Sequence, residues 1–137
     1  MNLAELREQL VIHEGMRLKP YKDSVGKLTI GVGRNLDDVG ITEVEALELL
    51  ENDIHRVMDD LDRNVPWWRT LSEDRQLVFA DMVFNLGINR FMGFKNMLRA
   101  AKEANYEEAA RQMLDSRWAT QVGARATKLA TAMRSGA

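Results

Sequence analysis

Cysteine is absent from these 137 residues, so neither disulfides nor thiolate metal sites contribute to stability or chemistry. Histidine is scarce: His13 and His55 lie far apart, lack metal-ligand spacing and read as surface or packing residues, which argues against a metal enzyme. Proline occurs only at Pro20 and Pro66, and each marks a place where a helix cannot continue. No apolar run approaches the length of a membrane span, and Met1-Asn2-Leu3-Ala4-Glu5 lacks the basic-then-apolar order of a signal peptide. The expectation is synthesis in the cytoplasm without stable membrane insertion. The basic residues after Lys95 are not interleaved with base-stacking aromatics, which makes nucleic acid a poor partner.

The chain is one domain's worth, and 45% hydrophobic content suffices for a core. The net charge of −2 hides an asymmetry. From Asp37 to Asp62 ten acids face Arg56 alone, a net of −9, whereas from Lys95 onward eight bases meet four acids. The plain reading is a solvated acidic helix face; the sharper one is a basic C-terminal region that helps to hold an anionic polymer.

Local signals place the elements. Asn2 with Glu5 reads as an N-cap and capping-box acid, Leu3, Leu6, Leu10 and Val11 recur on one helical face, and Gly15 is a stop. Asp23-Ser24-Val25-Gly26-Lys27 is turn chemistry, and Leu28-Thr29-Ile30-Gly31-Val32-Gly33 has the character of a short strand. Thr42 with Glu45 is a second capping box, after which Val44, Leu47, Leu50, Ile54, Val57 and Leu61 mark a long helix ended by Asn64-Val65-Pro66. Ser72 with Glu73 and Asp74 starts the next, which holds Leu77, Val78, Ala80, Phe84 and Leu86 and stops near Gly87. Shorter helices are predicted over Lys95 to Lys102, Tyr106 to Leu114 and Gly123 to Met133. The fold class is α+β and predominantly helical.

The chemistry-bearing feature is the trio Glu14, Asp23 and Thr29. A helix end, a tight turn and a strand would each deliver one polar group to a common cleft. Two carboxyls and a hydroxyl equip glycoside hydrolysis, in which one protonated carboxyl serves the leaving oxygen and an ionised one activates water or stabilises the oxocarbenium-like transition state. Taken singly, each residue has an ordinary reading: a solvated glutamate, an aspartate capping its own turn, a packing threonine.

The joint pattern Glu-x8-Asp-x5-Thr, flanked by Glu-Gly-x-Arg-Leu-Lys-x-Tyr-Lys-Asp and Thr-Ile-Gly-x-Gly, resembles the phage-type lysozymes of glycoside hydrolase family 24. Met82-Val83-Phe84, Gly93-Phe94 and Ser116-Arg117-Trp118 are further landmarks, so the resemblance covers nearly the whole chain. It implies a single lysozyme domain: a small β-hairpin lobe over about 15–41, a connecting helix over 42–62, and a helical lobe from 1–14 and 63–137. It also implies an endolysin that needs no cofactor and acts as a monomer on bacterial peptidoglycan. The bond cleaved would be the β-1,4 link between N-acetylmuramic acid and N-acetylglucosamine. Access to the wall in the periplasm would depend on a separate holin-like pore. A lytic transglycosylase and a non-catalytic wall-binding derivative are the alternatives.

By the same resemblance Glu14 is the acid, Asp23 with Thr29 positions the attacking water, and Asn35, Phe84 and Gln112 line the saccharide cleft. Arg125 matches an arginine that pairs with the catalytic Glu. Asp53 matches an Asp whose usual partner is a His, and here Arg34 stands at that position, so an Arg34 to Asp53 pair is expected. Trp118 is expected in the core, and Trp67 and Trp68 either pack the inter-helix loop or form an exposed contact. Only seven residues separate Arg34 from Thr42, where longer members carry an extended strand and small helix, so fewer sugar subsites are expected on that side.

Overall fold

The computed structural model describes residues 1–136. The chain divides into two compact units, Met1–Glu48 and Leu49–Ala137. The first unit opens with α1 (Leu3–Glu14), capped by Asn2, whose side chain accepts from the Glu5 N–H at 3.1 Å. Gly15, at φ 76°, ends it, and its N–H bonds back to Val11 O. Leu6 and Val11 are half-buried and no α1 side chain is fully buried.

Three antiparallel strands follow in the order β1 (Arg17–Lys22), β2 (Leu28–Gly31) and β3 (Arg34–Asn35). Lys22 pairs with Leu28, Tyr21 with Thr29, and Arg17 with Gly31, so β1 carries surplus residues around Pro20, whose ring nitrogen has no proton for the ladder. Thr29 pairs onward with Asn35 and Ile30 with Arg34. The return loop is tied by side chains: Leu28 N–H donates to Asp37 Oδ2 at 2.7 Å, and Lys27 Nζ meets Asp38 Oδ1 at 3.2 Å. The expected hairpin lobe is therefore a sheet with a third, two-residue strand.

Helix α2 (Glu43–Asn64) begins at a complete capping box: Glu45 N–H donates to Thr42 Oγ1 at 3.1 Å, and Thr42 N–H to Glu45 Oε1 at 2.9 Å. Of its apolar stripe only Val57 and Leu61 are buried, while Val44, Leu47, Leu50 and Ile54 stay exposed.

The second unit owns the core. A 3₁₀ turn at Pro66–Thr70 leads to α3 (Glu73–Leu86), then α4 (Ile88–Met92), α5 (Lys95–Lys102), α6 (Tyr106–Leu114), α7 (Arg117–Val122) and α8 (Ala124–Ser135). Phe79, Phe91, Leu61, Met82, Met97, Met113 and Met133 are the largest fully buried side chains. Phe79 lies edge-on to Phe91 at 5.1 Å and to Trp67 at 5.8 Å between ring centres. Four methionines suit this core because an unbranched thioether fills the irregular gaps between short helices. Trp68 is buried with its indole N–H donated to Asp62 at 2.7 Å, so the tryptophan pair packs the inter-helix loop. Arg75 fastens the end of α8: its Nε donates to Met133 O at 2.7 Å, and its guanidinium lies 3.5 Å from the centre of the Tyr106 ring. Among the described residues no helix is long and apolar enough to cross a membrane.

Candidate active site

Glu14, Asp23 and Thr29 all fall in the first unit. Asp23 follows the last residue of β1, and its Oδ1 accepts from the N–H groups of Val25 and Lys27, each at 2.9 Å, which closes the turn as an Asx motif. Its second oxygen accepts nothing from the described residues. Thr29 is 3% exposed, and its hydroxyl donates to Lys27 O at 2.9 Å. Lys27 O also accepts the Asp23 N–H at 2.9 Å, so the Lys27 peptide groups fix Asp23 and Thr29 in one small network. The ordinary roles of these two residues, turn capping and packing, are thus both realised. They leave one carboxylate oxygen and the hydroxyl lone pairs available.

Glu14 is the last residue of α1 and is exposed. Its neighbour is the β2–β3 turn: a Cβ built on Gly33 would lie 3.0 Å from Glu14 Oε2 and 3.3 Å from Cδ. Gly33 also has φ +68°, so glycine is required there on two counts, backbone conformation and closeness to the carboxyl. Asp23 sits by the Leu28 end of β2, and Glu14 by the turn beyond Gly31. Those ends lie roughly 10 Å apart along a strand of this length.

Within the first unit the Nη1 and Nη2 of Arg34 bind both oxygens of Glu45, each at 2.9 Å, and Nη1 also donates to Gly40 O at 3.1 Å. The guanidinium fork is filled by a carboxylate on the first turn of α2, eleven residues along the chain. Asp53 in turn pairs with Arg56, one helical turn away. The Arg34 fork, with the Thr42 N–H, holds the Glu45 carboxyl at about 2, well below the usual 4.5. The capping-box spacing made Glu45 visible as a cap but gave no sign of this second role.

Arg125, expected to pair with Glu14, donates from Nε to Asp81 Oδ1 at 2.8 Å. Asp81 and Asn85 occupy successive turns of α3, and Asn85 Oδ1 accepts the indole N–H of the buried Trp118 at 2.8 Å. Both partners stand on one i, i+4 face of α3, a spacing readable in the sequence but lacking any indication of its target.

Of the expected saccharide-lining residues, Asn35 spends its amide on Asp38, donating to Oδ2 and accepting from the backbone N–H, each at 2.9 Å. Phe84 is 47% exposed beside a groove of about 430 Å³ lined by Leu50, Ile54, Leu77, Ala80 and Arg125. Gln112 lines a separate cleft of about 420 Å³ with Phe94, Lys95, Asn96, Arg117 and Trp118, and its Nε2 donates to Glu108 at 2.8 Å. No group of three or more metal-ligating side chains gathers among the described residues.

An α+β chain that carries an exposed carboxyl at a helix end, a second in a braced turn and a buried threonine hydroxyl on the adjoining strand has the chemical outfit of an acid–base hydrolase. Comparison with known proteins narrows this class. The phage lysozyme family model matches residues 11–134, and the chain belongs to that family. It is similar to the endolysin of Salmonella phage P22, with 34% identity over 71% of this chain and 70% of that protein. The SAR-endolysin of Escherichia phage Mu is 30% identical over 87% of this chain and 69% of its own length. A probable T4-type lysozyme 1 of Dictyostelium discoideum is 26% identical and is matched over 98% of this chain and 96% of its own.

Proposed function

We propose that the chain is an endolysin that hydrolyses the β-1,4 bond between N-acetylmuramic acid and N-acetylglucosamine in bacterial peptidoglycan. The observation that carries this reading is the family match over residues 11–134, a span that contains Glu14, Asp23 and Thr29 at the expected spacing. Glu14 protonates the glycosidic oxygen. Its exposure at a helix end suits a polymeric substrate, which must reach the acid from outside. Asp23, braced through one oxygen by two backbone N–H groups, offers the other to the attacking water, and Thr29 orients that water through its lone pairs.

Inverting enzymes hold their carboxyls about 6.5–9.5 Å apart to admit a water, against about 5–5.5 Å in retaining enzymes, and a water-activating Asp23 belongs to the wider class. The chain works as a monomer, and a separate holin-like pore gives it access to the wall.

Glu14→Gln keeps the shape of the acid and removes its proton. Lysis of chloroform-treated Gram-negative cells is expected to fall at least about a hundredfold. Near-normal lysis by the folded variant would remove Glu14 from the mechanism. Mass spectrometry of the released muropeptides separates hydrolysis, which leaves reducing ends, from transglycosylation, which leaves anhydro sugars.

A further inference from the structure

The β2–β3 turn that borders Glu14 has little of its own to hold it in place. It spans Gly31-Val32-Gly33, two of whose three residues are glycines at φ +69° and +68°. The strand that receives it, β3, is two residues long; the Ile30–Arg34 and Thr29–Asn35 pairs connect it to β2, and the Leu36 N–H to Leu28 O bond at 2.7 Å continues the ladder at the end far from the turn. Glycines are the least restrained residues of a chain, and a two-residue edge strand is a weak anchor. Yet the turn must keep its register closely, because Gly33 stands where a single added carbon would meet the Glu14 carboxyl.

The structure supplies the missing anchor immediately after Gly33. Arg34 makes three polar contacts, two to Glu45 at 2.9 Å and one to Gly40 O at 3.1 Å. Through them the end of the turn, the end of the 36–41 return loop and the first turn of α2 are joined at one guanidinium. Glu45 is itself immobilised by its reciprocal bonds with Thr42. The anchor is therefore a helix N-terminus, not a free side chain.

We infer that Arg34 is a positioning residue for the acid: its bidentate grip on Glu45 fixes the Gly31–Gly33 turn against the Glu14 carboxyl. This rests on Glu14 being the acid, as proposed above. Arg34 touches no reacting atom, and it acts through the one-residue step to Gly33. A lysine at 34 would keep the charge but present a single point donor in place of the planar fork, so the turn would be held by one contact that can swivel.

The test compares Arg34→Lys and Glu45→Gln with the unaltered chain. Each should lower kcat on peptidoglycan roughly tenfold with KM little changed, because a small displacement of a catalytic group costs turnover before it costs binding. The double variant should be no worse than either single one, since both remove the same tie. A readout independent of turnover is the carbon NMR chemical shift of the Glu14 side-chain carboxyl at one fixed pH, which reports the packing of the Gly33 turn against it and should change in both variants while circular dichroism stays that of the unaltered chain. Unchanged kcat and an unchanged Glu14 carboxyl resonance, with only a lower melting temperature, would show that Arg34 merely stabilises the lobe. Should Glu14→Gln retain activity while the Glu14 resonance still moves in Arg34→Lys, the functional reading fails and the positioning stands. If Arg34→Lys misfolds, Glu45→Gln alone decides the matter by the same two measurements.

Discussion

Replacing Gly33 by alanine sets two effects of known origin against each other. Gly33 has φ +68°, where an L side chain costs roughly 1–2 kcal/mol. The new Cβ would also lie 3.0 Å from Glu14 Oε2, 3.3 Å from Cδ and 3.4 Å from Cγ. Those atoms belong to the outer part of a flexible side chain, so the carboxyl yields by a few tenths of an ångström and the backbone does not. Gly31 provides the matched control: its φ is +69°, and an added Cβ finds nothing within 4 Å. Gly33→Ala and Gly31→Ala should therefore lower the melting temperature alike, by a few degrees. Only Gly33→Ala should also displace the acid. If misplacement by about 1 Å costs on the order of a hundredfold, a few tenths should cost roughly three- to tenfold in kcat. Thermal melts give the first quantity, and turbidity loss of permeabilised cells at saturating substrate gives the second. Equal losses of activity in the two variants would show that strain in the turn, not contact with Glu14, sets the requirement for glycine at 33.

Acid should weaken the protein through Glu45 and Glu108, both held at about 2, the first by the Arg34 fork and the second by Arg111 with Gln112. A carboxyl lowered in the folded state adds stability above its unfolded value of 4.5, and that stability is lost as pH falls towards about 2. Melts between those limits should flatten in Glu45→Gln combined with Glu108→Gln, and an unaltered acid limb would show that other groups control it. Phe79→Ala empties a fully buried site flanked by Phe91 and Trp67 and should cost about 3–5 kcal/mol in urea unfolding. A loss below about 1 kcal/mol would mean that the core collapses to fill the space.

What the sequence disclosed was mainly what neighbours along the chain decide. Asn2, Thr42 and Ser72 announce helix starts because a cap bonds to a backbone group three residues on, and all three do so in the structure. The bounds read for α5 and α6 match the structure, although only α6 starts at a side-chain cap, Asn105, while α4 and α7, at five and six residues, are too short for a 3.6-residue period to register. The trio Glu14, Asp23 and Thr29 was legible as a spacing. Its local chemistry, in which the Lys27 backbone braces two of the three, was not. Nor were the partners of the arginines. Nothing local marks Glu45 for Arg34 or Asp81 for Arg125, because a long cationic side chain has many carboxylates in reach and tertiary packing selects among them. The apolar stripe of α2 was read correctly as a period, yet burial claims only its last members, Val57 and Leu61.

The clasp of Arg75 on the end of α8 bears on how the chain assembles. It joins groups 58 residues apart, whereas the Arg34–Glu45 tie of the first unit joins groups 11 apart. By the logarithmic dependence of closure entropy on loop length, shutting the longer loop costs about 1.5 kcal/mol more. Trp118 to Asn85 and Arg125 to Asp81, at separations of 33 and 44, belong to the same long-range set. The hairpins can thus form from a short stretch of chain as it emerges, while the helical unit has to wait for its final helix before these contacts exist. High contact order slows folding, and here it is concentrated in the half of the molecule that owns the core.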